Sequence, residues 1–509
     1  MTPPQPRESG VSRRFFGNTM VNYIGQGFIL VLTFVTAPYT VHHLGPELFG
    51  ILALVQVTAG FAGLLNLGIG RALTKYVSEL YWTSDFKAIN QLFQTAWATC
   101  VMAGMVGLVI LIGPRATIGR LFFRGGPEVD AVVGFAIYVA AFGLFTSMLL
   151  EAISALPVAL QRFGICNAIN VATGAVRCLG PVIVLALGYS IRAVLIVILA
   201  SNILAVIAFA VVSRKLIPGL SLLPHFDWAA FRKLFTFSLP LLLSALFALI
   251  VTRVDRFILA YYLPLAAVTF YTLPYSISEK ASMGIGSITL VVFPFTSELH
   301  SMGAHDKVHE LYLRSSKILT LLTLPITVIL LTVPGQILRF WLGPEYAAQG
   351  TVTLCLLGAA TFLGAVGAVS TVTSLGVGQA WIPAVFAFAS SVINLVSNFL
   401  LIPRYGINGA ALACLLPQAV VIPVFVYVVA RMIKFPLWEL FSHGLLRPLM
   451  CASVQVAILF AFRRHVNNLA TFGLLCLVSV CVYGVLSLFG AITREERSAL
   501  FRRPSLSAN

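Results

Sequence analysis

Residues 193–212 read AVLIVILASNILAVIAFAVV, twenty positions without a charge, held between Arg192 on one side and Arg214-Lys215 on the other. A helix needs about 20 mostly apolar residues to cross the hydrocarbon core of a bilayer. Working outward, comparable runs occur near 18–41, 48–72, 91–112, 131–156, 165–187, 192–212, 237–261, 267–296, 315–333, 349–374, 380–402, 408–430, 446–462 and 470–491. Interior prolines such as Pro38, Pro181, Pro240, Pro274, Pro294 and Pro383 predict kinks, which membrane helices tolerate. The composition agrees: of 509 residues, 59% are hydrophobic and 10% charged. A soluble chain carries roughly 25% charged residues. So little charge cannot cover a water-facing surface, so the apolar excess must face lipid. The predicted fold class is all-α: a polytopic membrane protein of about 14 transmembrane helices.

The net charge of +16 would suggest nucleic acid for a soluble protein. Here the basic residues sit between apolar runs, the pattern of cytoplasmic loops, and no nucleic-acid partner is expected. With the N-terminus cytoplasmic, inner segments hold about 21 Lys and Arg and outer ones about 8. The 113–130 loop, with Arg115, Arg120 and Arg124, argues against that orientation, yet the total places both termini on the cytoplasmic side. The apolar stretch after Arg13-Arg14 is too long for a signal-peptide core and is expected to stay as the first span. All eight cysteines lie within apolar runs without a CxxC pair, so buried thiols are expected, not disulfides or zinc ligands.

Two halves of the chain echo each other. His42-His43-Leu44 matches Tyr261-Tyr262-Leu263, and Ser78-Glu79-Leu80 matches Ser297-Glu298-Leu299, both 219 residues later. Gln161 matches Gln379, and Gly188-Tyr189-Ser190-Ile191 matches Arg404-Tyr405-Gly406-Ile407 at nearly the same offset. Six spans per repeat is an even number, so the halves share one orientation, the parallel arrangement of transporters that hold cargo between halves. The expected organisation is an N-terminal lobe (1–212), a cytoplasmic linker (213–236), a C-terminal lobe (237–432), and two extra helices with a basic tail (433–509).

Ionisable groups deep in a span are costly and usually face a wet cavity or a partner. Arg177 lies near the middle of the fifth span, Glu279 and Lys280 near the middle of the eighth, and Arg253, Asp255 and Arg256 toward the outer end of the seventh. Glu151 and Arg71 lie near inner ends of the fourth and second spans. Asn18, Asn22 and Gln26, spaced i, i+4, i+8, share one helix face, and Asn66, Asn170, Asn202, Asn394 and Asn398 add neutral polar groups. Such groups serve equally as hydrogen bonds between helices, at about 0.6 kcal/mol each. Asp255 with an Arg could be a structural ion pair, and Arg256 could snorkel. Arg177 is too central to snorkel easily. Arginine suits a phosphorylated group because its planar fork stays charged and donates paired hydrogen bonds.

No Walker A, GxSxG or HExxH motif is present, so neither an enzyme nor a cofactor is expected. Gly68-Ile69-Gly70 and Gly284-Ile285-Gly286 lie within spans, where helix packing explains them. His300, His305 and His309 cluster in an inner loop; His305 and His309 have conceivable metal spacing, but no Cys or carboxylate set completes a site, and no metal is expected.

Leu44-Gly45-Pro46-Glu47-Leu48-Phe49-Gly50, then Asn66-Leu67-Gly68-Ile69-Gly70-Arg71-Ala72-Leu73, together resemble the opening of polysaccharide flippases. Asp255-Arg256, Tyr271, Pro294, the run from Trp341 to Tyr346 and the run from Arg404 to Ala411 resemble later landmarks of the same family. The resemblance is to Wzx-type O-antigen and exopolysaccharide flippases, within the superfamily that also holds the MATE exporters and the lipid II flippase. It implies two six-helix lobes, here with two extra C-terminal helices. It implies transfer of undecaprenyl-pyrophosphate oligosaccharide, for surface polysaccharide biosynthesis, by alternating access through a cationic cavity. Polysaccharide polymerase and chain-length machinery are the protein partners it suggests. Unlike the lipid II flippase pattern, the first span has no Arg. On this reading Arg177, with Arg253 or Arg256 from the other lobe, holds the pyrophosphate. Asn22, Gln26 and Asn66 line the sugar space, and Asp255, Glu279 and Lys280 are candidates for coupling. The rival is a cation-coupled MATE-type drug exporter, which needs a carboxylate that trades cation for drug; Asp255 and Glu279 are the deep candidates.

Overall fold

The computed structural model describes residues 8–61, 68–123, 127–492 and 497, with the backbone alone for 8–23. The helices are α1 (Glu8–Gly60), α2 (Ile69–Trp82), α3 (Phe86–Ile112), α4 (Arg115–Phe122), α5 (Pro127–Ala159), α6 (Phe163–Ala186), α7 (Ile191–Leu216) and α8 (Trp228–Tyr262). They continue as α9 (Leu265–Ala281), α10 (Met283–Ser301), α11 (His305–Thr332), α12 (Pro334–Leu342), α13 (Pro344–Gly376) and α14 (Trp381–Met432). A π-helical segment, Leu440–Leu446, leads into α15 (Arg447–Phe462), and α16 (Leu469–Leu486) follows. No strand occurs among the described residues. The fold is that of an all-α polytopic membrane protein. Most expected spans fall on these helices; the second (48–72) extends over residues outside the description, and the eighth (267–296) is divided between α9 and α10. Ten described segments are long and apolar enough to cross a bilayer.

Two helices carry two expected spans each. α1 turns at Gly45 (φ 73°) and α14 at Gly406 (φ 58°, ψ −134°). Both angles lie in the left-handed half of backbone space, where a side chain would clash, so glycine permits the turn without a loop. Other starts are capped by side chains: Asp85 accepts from the Ala88 N–H at 3.0 Å, and Asp227 from the Ala229 N–H at 3.0 Å.

The repeat is written in the backbone as well. Positive φ occurs at Ser84 and Gly303, at Gln161 and Gly378, and at Gly188 and Gly406. These pairs are 219, 217 and 218 residues apart, the offset of the sequence landmarks.

The chain divides into two compact units, Met1–Thr269 and Phe270–Asn509. This moves the boundary from the expected 213–236, and α8 belongs to the first unit. The cause is packing: Phe257 meets Phe61 and Phe122 edge-on, with centroids 5.6 and 5.8 Å apart. The Thr269 hydroxyl also donates to the Pro46 carbonyl at 2.6 Å.

The first unit's core joins α2, α3, α5 and α7 through Ile69, Leu73, Phe93, Met148, Ile153 and Phe209. In the second unit α11, α13 and α14 close around Tyr312, Val369, Phe425 and Val429. The last two helices pack on α11 through Leu324, Val328, Leu459 and Tyr483, and the Gln455 amide donates to the carbonyl of Pro325, at α11's interior proline, at 3.1 Å.

Candidate functional site

Within the first unit, five helices enclose a cavity of about 360 Å³. α1 contributes Gln56 and Gly60, α5 Ser147, α6 Arg177, α7 Asn202 and α8 Arg253, with apolar walls that include Val55 and Leu150.

The approach of α6 to α7 builds its centre. A Cβ on Gly180 would lie 2.3 Å from Cγ1 of Val197, so only a glycine lets the two helices come this close. One turn earlier on α6, Arg177 then reaches across: its Nη2 donates to Oδ1 of Asn202 at 2.6 Å. Asn202 is 6% exposed, whereas Arg177 is open to the cavity. A hydrogen bond from a charged donor contributes about 1.5–3 kcal/mol. The acceptor is a neutral amide, so it orients the guanidinium without cancelling its charge. Among the described residues no carboxylate pairs with Arg177, and neither hydrogen bond nor ion pair ties down Arg253. Gly60 lies beside that second guanidinium: a Cβ there would stand 3.9 Å from Nε of Arg253, in ordinary van der Waals contact. Two cations thus share one chamber of a single unit, where the sequence suggested that they came from opposite lobes.

The remaining sequence candidates are placed differently. Arg256 is 3% exposed and donates through Nη1 to the Thr252 carbonyl at 3.2 Å, while Oδ1 of the fully buried Asp255 accepts from the Arg256 N–H at 2.8 Å. Neither lines the cavity. Gln26 is exposed on α1, apart from the cavity lining. Asn22 lies on α1 with its side chain outside the description, and Asn66 lies outside the described residues. Glu279 and Lys280 fall at the end of α9, exposed beside the break at Ser282, because the expected eighth span is two helices.

Sequence reasoning passed over Gln56 and Ser147 as cavity residues, and did not pair Asn202 with Arg177. A signal was available. Antiparallel helices joined by a tight turn bring residues equidistant from that turn to the same depth, and Arg177 and Asn202 lie almost symmetrically about Tyr189. Lys317, within the span expected near 315–333, is 4% exposed, inside the second unit.

A family model described as polysaccharide biosynthesis protein matches residues 15–300. The chain belongs to this family. Among curated relatives, the "Putative O-antigen transporter" of Shigella flexneri is 21% identical over 397 residues, covering 78% of this chain and 93% of that protein. Among solved structures, the lipid II flippase MurJ in an inward closed conformation aligns with a TM-score of 0.73 at 16% identity, covering 95% of this chain and all of that one. An inward-facing multidrug resistance MATE transporter of the MOP superfamily aligns with a TM-score of 0.64 at 14% identity, covering 79% of this chain and 94% of its own. At such identities these structures establish the fold shared with the family member.

Proposed function

We propose that this protein is a flippase that carries a polyprenyl-pyrophosphate-linked oligosaccharide across a bacterial inner membrane, for surface polysaccharide synthesis. The observation that carries the reading is the Arg177–Asn202 arrangement. A guanidinium at membrane depth, held by a neutral amide and facing Arg253 across a cavity, keeps its charge available for an anion. Pyrophosphate offers the acceptors that two such forks match. The names of the Shigella protein and of MurJ support the cargo class.

In the proposed cycle Arg177 and Arg253 hold the pyrophosphate while Gln56 and Ser147 face the first sugars. The prenyl chain stays in lipid, and the two halves move so that the chamber opens to the other leaflet. Asp255, buried beside Arg256, is the coupling candidate that burial favours over the exposed Glu279 and Lys280. Both termini are assigned to the cytoplasm from the loop charges, and a polymerase with its chain-length machinery receives the product outside. A MATE-type cation-coupled drug exporter fits less well, because among the described residues two guanidinia and no carboxylate line the cavity, leaving no group there to trade cation for drug.

The test is flipping of lipid-linked oligosaccharide in reconstituted vesicles. Arg177→Ala should insert normally and fail to translocate; translocation at the parent rate would end this assignment.

A further inference from the structure

On the topology assigned from the loop charges, α2 and the start of α8 meet at the cytoplasmic end of the first unit. Basic residues orient a membrane protein whether or not they touch one another. Here two lysines are drawn onto one pair of rings. Nζ of Lys75, on α2, lies 5.1 Å from the centroid of Tyr76 and 4.5 Å from that of Phe237. Nζ of Lys233, in the second turn of α8, lies 4.5 Å from the Tyr76 centroid.

The rings hold the arrangement. Tyr76 and Phe237 meet edge-on with centroids 6.0 Å apart, joining α2 to α8, and both pack against the unit's core. A ring face attracts an ammonium group, and Tyr76 draws one from each helix. The two like charges repel each other. Among the described residues no carboxylate pairs with either lysine. Arg71 and Glu79 lie one turn before and one turn after Lys75 on the same face of α2. Both are exposed, and their opposite charges offset each other, so the surplus of the lysines stands. Tyr76 adds a hydroxyl that makes no hydrogen bond among the described residues. Aromatic rings favour the headgroup level of a bilayer. Both ammonium groups and the hydroxyl are thus offered at the depth where the phosphate of a lipid lies.

We propose that Lys75, Lys233 and Tyr76 form an entry site for the pyrophosphate head of the cargo in the cytoplasmic leaflet, ahead of the cavity around Arg177. The cargo rests on the flippase reading; the site rests on its own residues. Two phosphoryl groups can bridge two ammonium groups held around a single ring, whereas the lone phosphodiester of a bulk phospholipid answers one of them. α8 carries Lys233 near its start and Arg253 into the cavity, so one helix links the two sites. Cargo gathered at the lysines raises its local concentration, and translocation is left to the arginines.

The test uses the full chain and two readouts. Binding is measured with Arg177→Ala/Arg253→Ala in phosphatidylcholine nanodiscs, as thermal unfolding against added undecaprenyl pyrophosphate. Adding Lys75→Gln/Lys233→Gln should weaken binding about fivefold to tenfold. Lys75→Arg/Lys233→Arg, which keeps the charges, should hold it near that of the lysines. Flipping is measured in vesicles with Arg177 and Arg253 intact, where the Gln pair should raise the half-saturating cargo fraction by a similar factor. A fall confined to the saturated rate would place the lysines in the translocation step and overturn the entry site. When phosphatidylglycerol is mixed into the discs, the dependence on the lysines should persist; its loss would assign the pair to bulk anionic lipid and overturn the proposal. If flipping needs Arg177 while neither readout answers to Lys75 and Lys233, the entry site falls and the flippase reading stands. If the vesicles show no flipping while binding still depends on the lysines, the flippase reading falls and the pyrophosphate site stands.

Discussion

The two units spend their polar residues in opposite ways. In the second, Asn394 donates to the Ala413 carbonyl at 2.9 Å, Asn398 to the Asn394 carbonyl at 3.0 Å, and Thr353 to Asn408 at 2.8 Å. Asn394 and Asn398 are completely buried. Their hydrogen-bonding capacity is largely turned inward, onto the helices themselves. In the first unit Arg177 has one neutral partner and Arg253 none among the described residues, and both line open space. Polar side chains within spans thus serve as glue in one unit, while in the other two guanidinia line a cavity. On the proposed function, the difference lies in whether the protein or a guest completes the hydrogen bonds.

The largest break in this comparison should come from Arg177→Ala. Losing a charge-assisted contact of about 1.5–3 kcal/mol predicts roughly a 10- to 100-fold fall in affinity for lipid-linked pyrophosphate. Thermal stability should stay near that of the parent; binding assays and unfolding scans on the same preparation read both. Next, Asn202→Asp and Asn202→Ala separate orientation from charge. The Asp variant keeps an acceptor but neutralises the guanidinium, so flipping should fall further in Asp than in Ala. The reverse order would make Asn202 a packing residue only.

Asn394→Ala tests the other side. Interhelical hydrogen bonds in membranes average about 0.6 kcal/mol, so removing this amide should cost about 1 kcal/mol of stability and leave flipping per folded molecule intact. A transport defect at parental stability would move Asn394 out of the glue class. The smallest effect is expected for Arg253→Lys, which keeps the charge and loses the fork: a few-fold weaker binding, measured by titration.

The spans were legible in the sequence because a long apolar run is a local property that no later contact reverses. Landmarks such as Ser78-Glu79-Leu80 and Ser297-Glu298-Leu299 were legible for the same reason, since turns carry their own residues. The division after Thr269, and not at 213–236, could not be read locally, because which unit holds α8 depends on Phe61 and Phe122, more than a hundred residues upstream of Phe257. Arg177 could be singled out from its depth alone. Its pairing with Asn202 could have been read from their near-symmetry about Tyr189, but the close approach at Gly180 that brings the two helices together could not. Glu279 and Lys280 were placed mid-span because the expected span ran through the break at Ser282, which they immediately precede.

The turns at Gly45 and Gly406 reach beyond the path of the chain. Each joins two spans as the arms of an elbow, with a single non-helical residue at the joint. Such a joint offers a protease no extended strand to grip and gives an inserted reporter nowhere to sit. Experiments that map which side of the bilayer each segment faces should therefore place their tags at the longer connections, such as residues 217–227, and treat silence at the elbows as the geometry speaking.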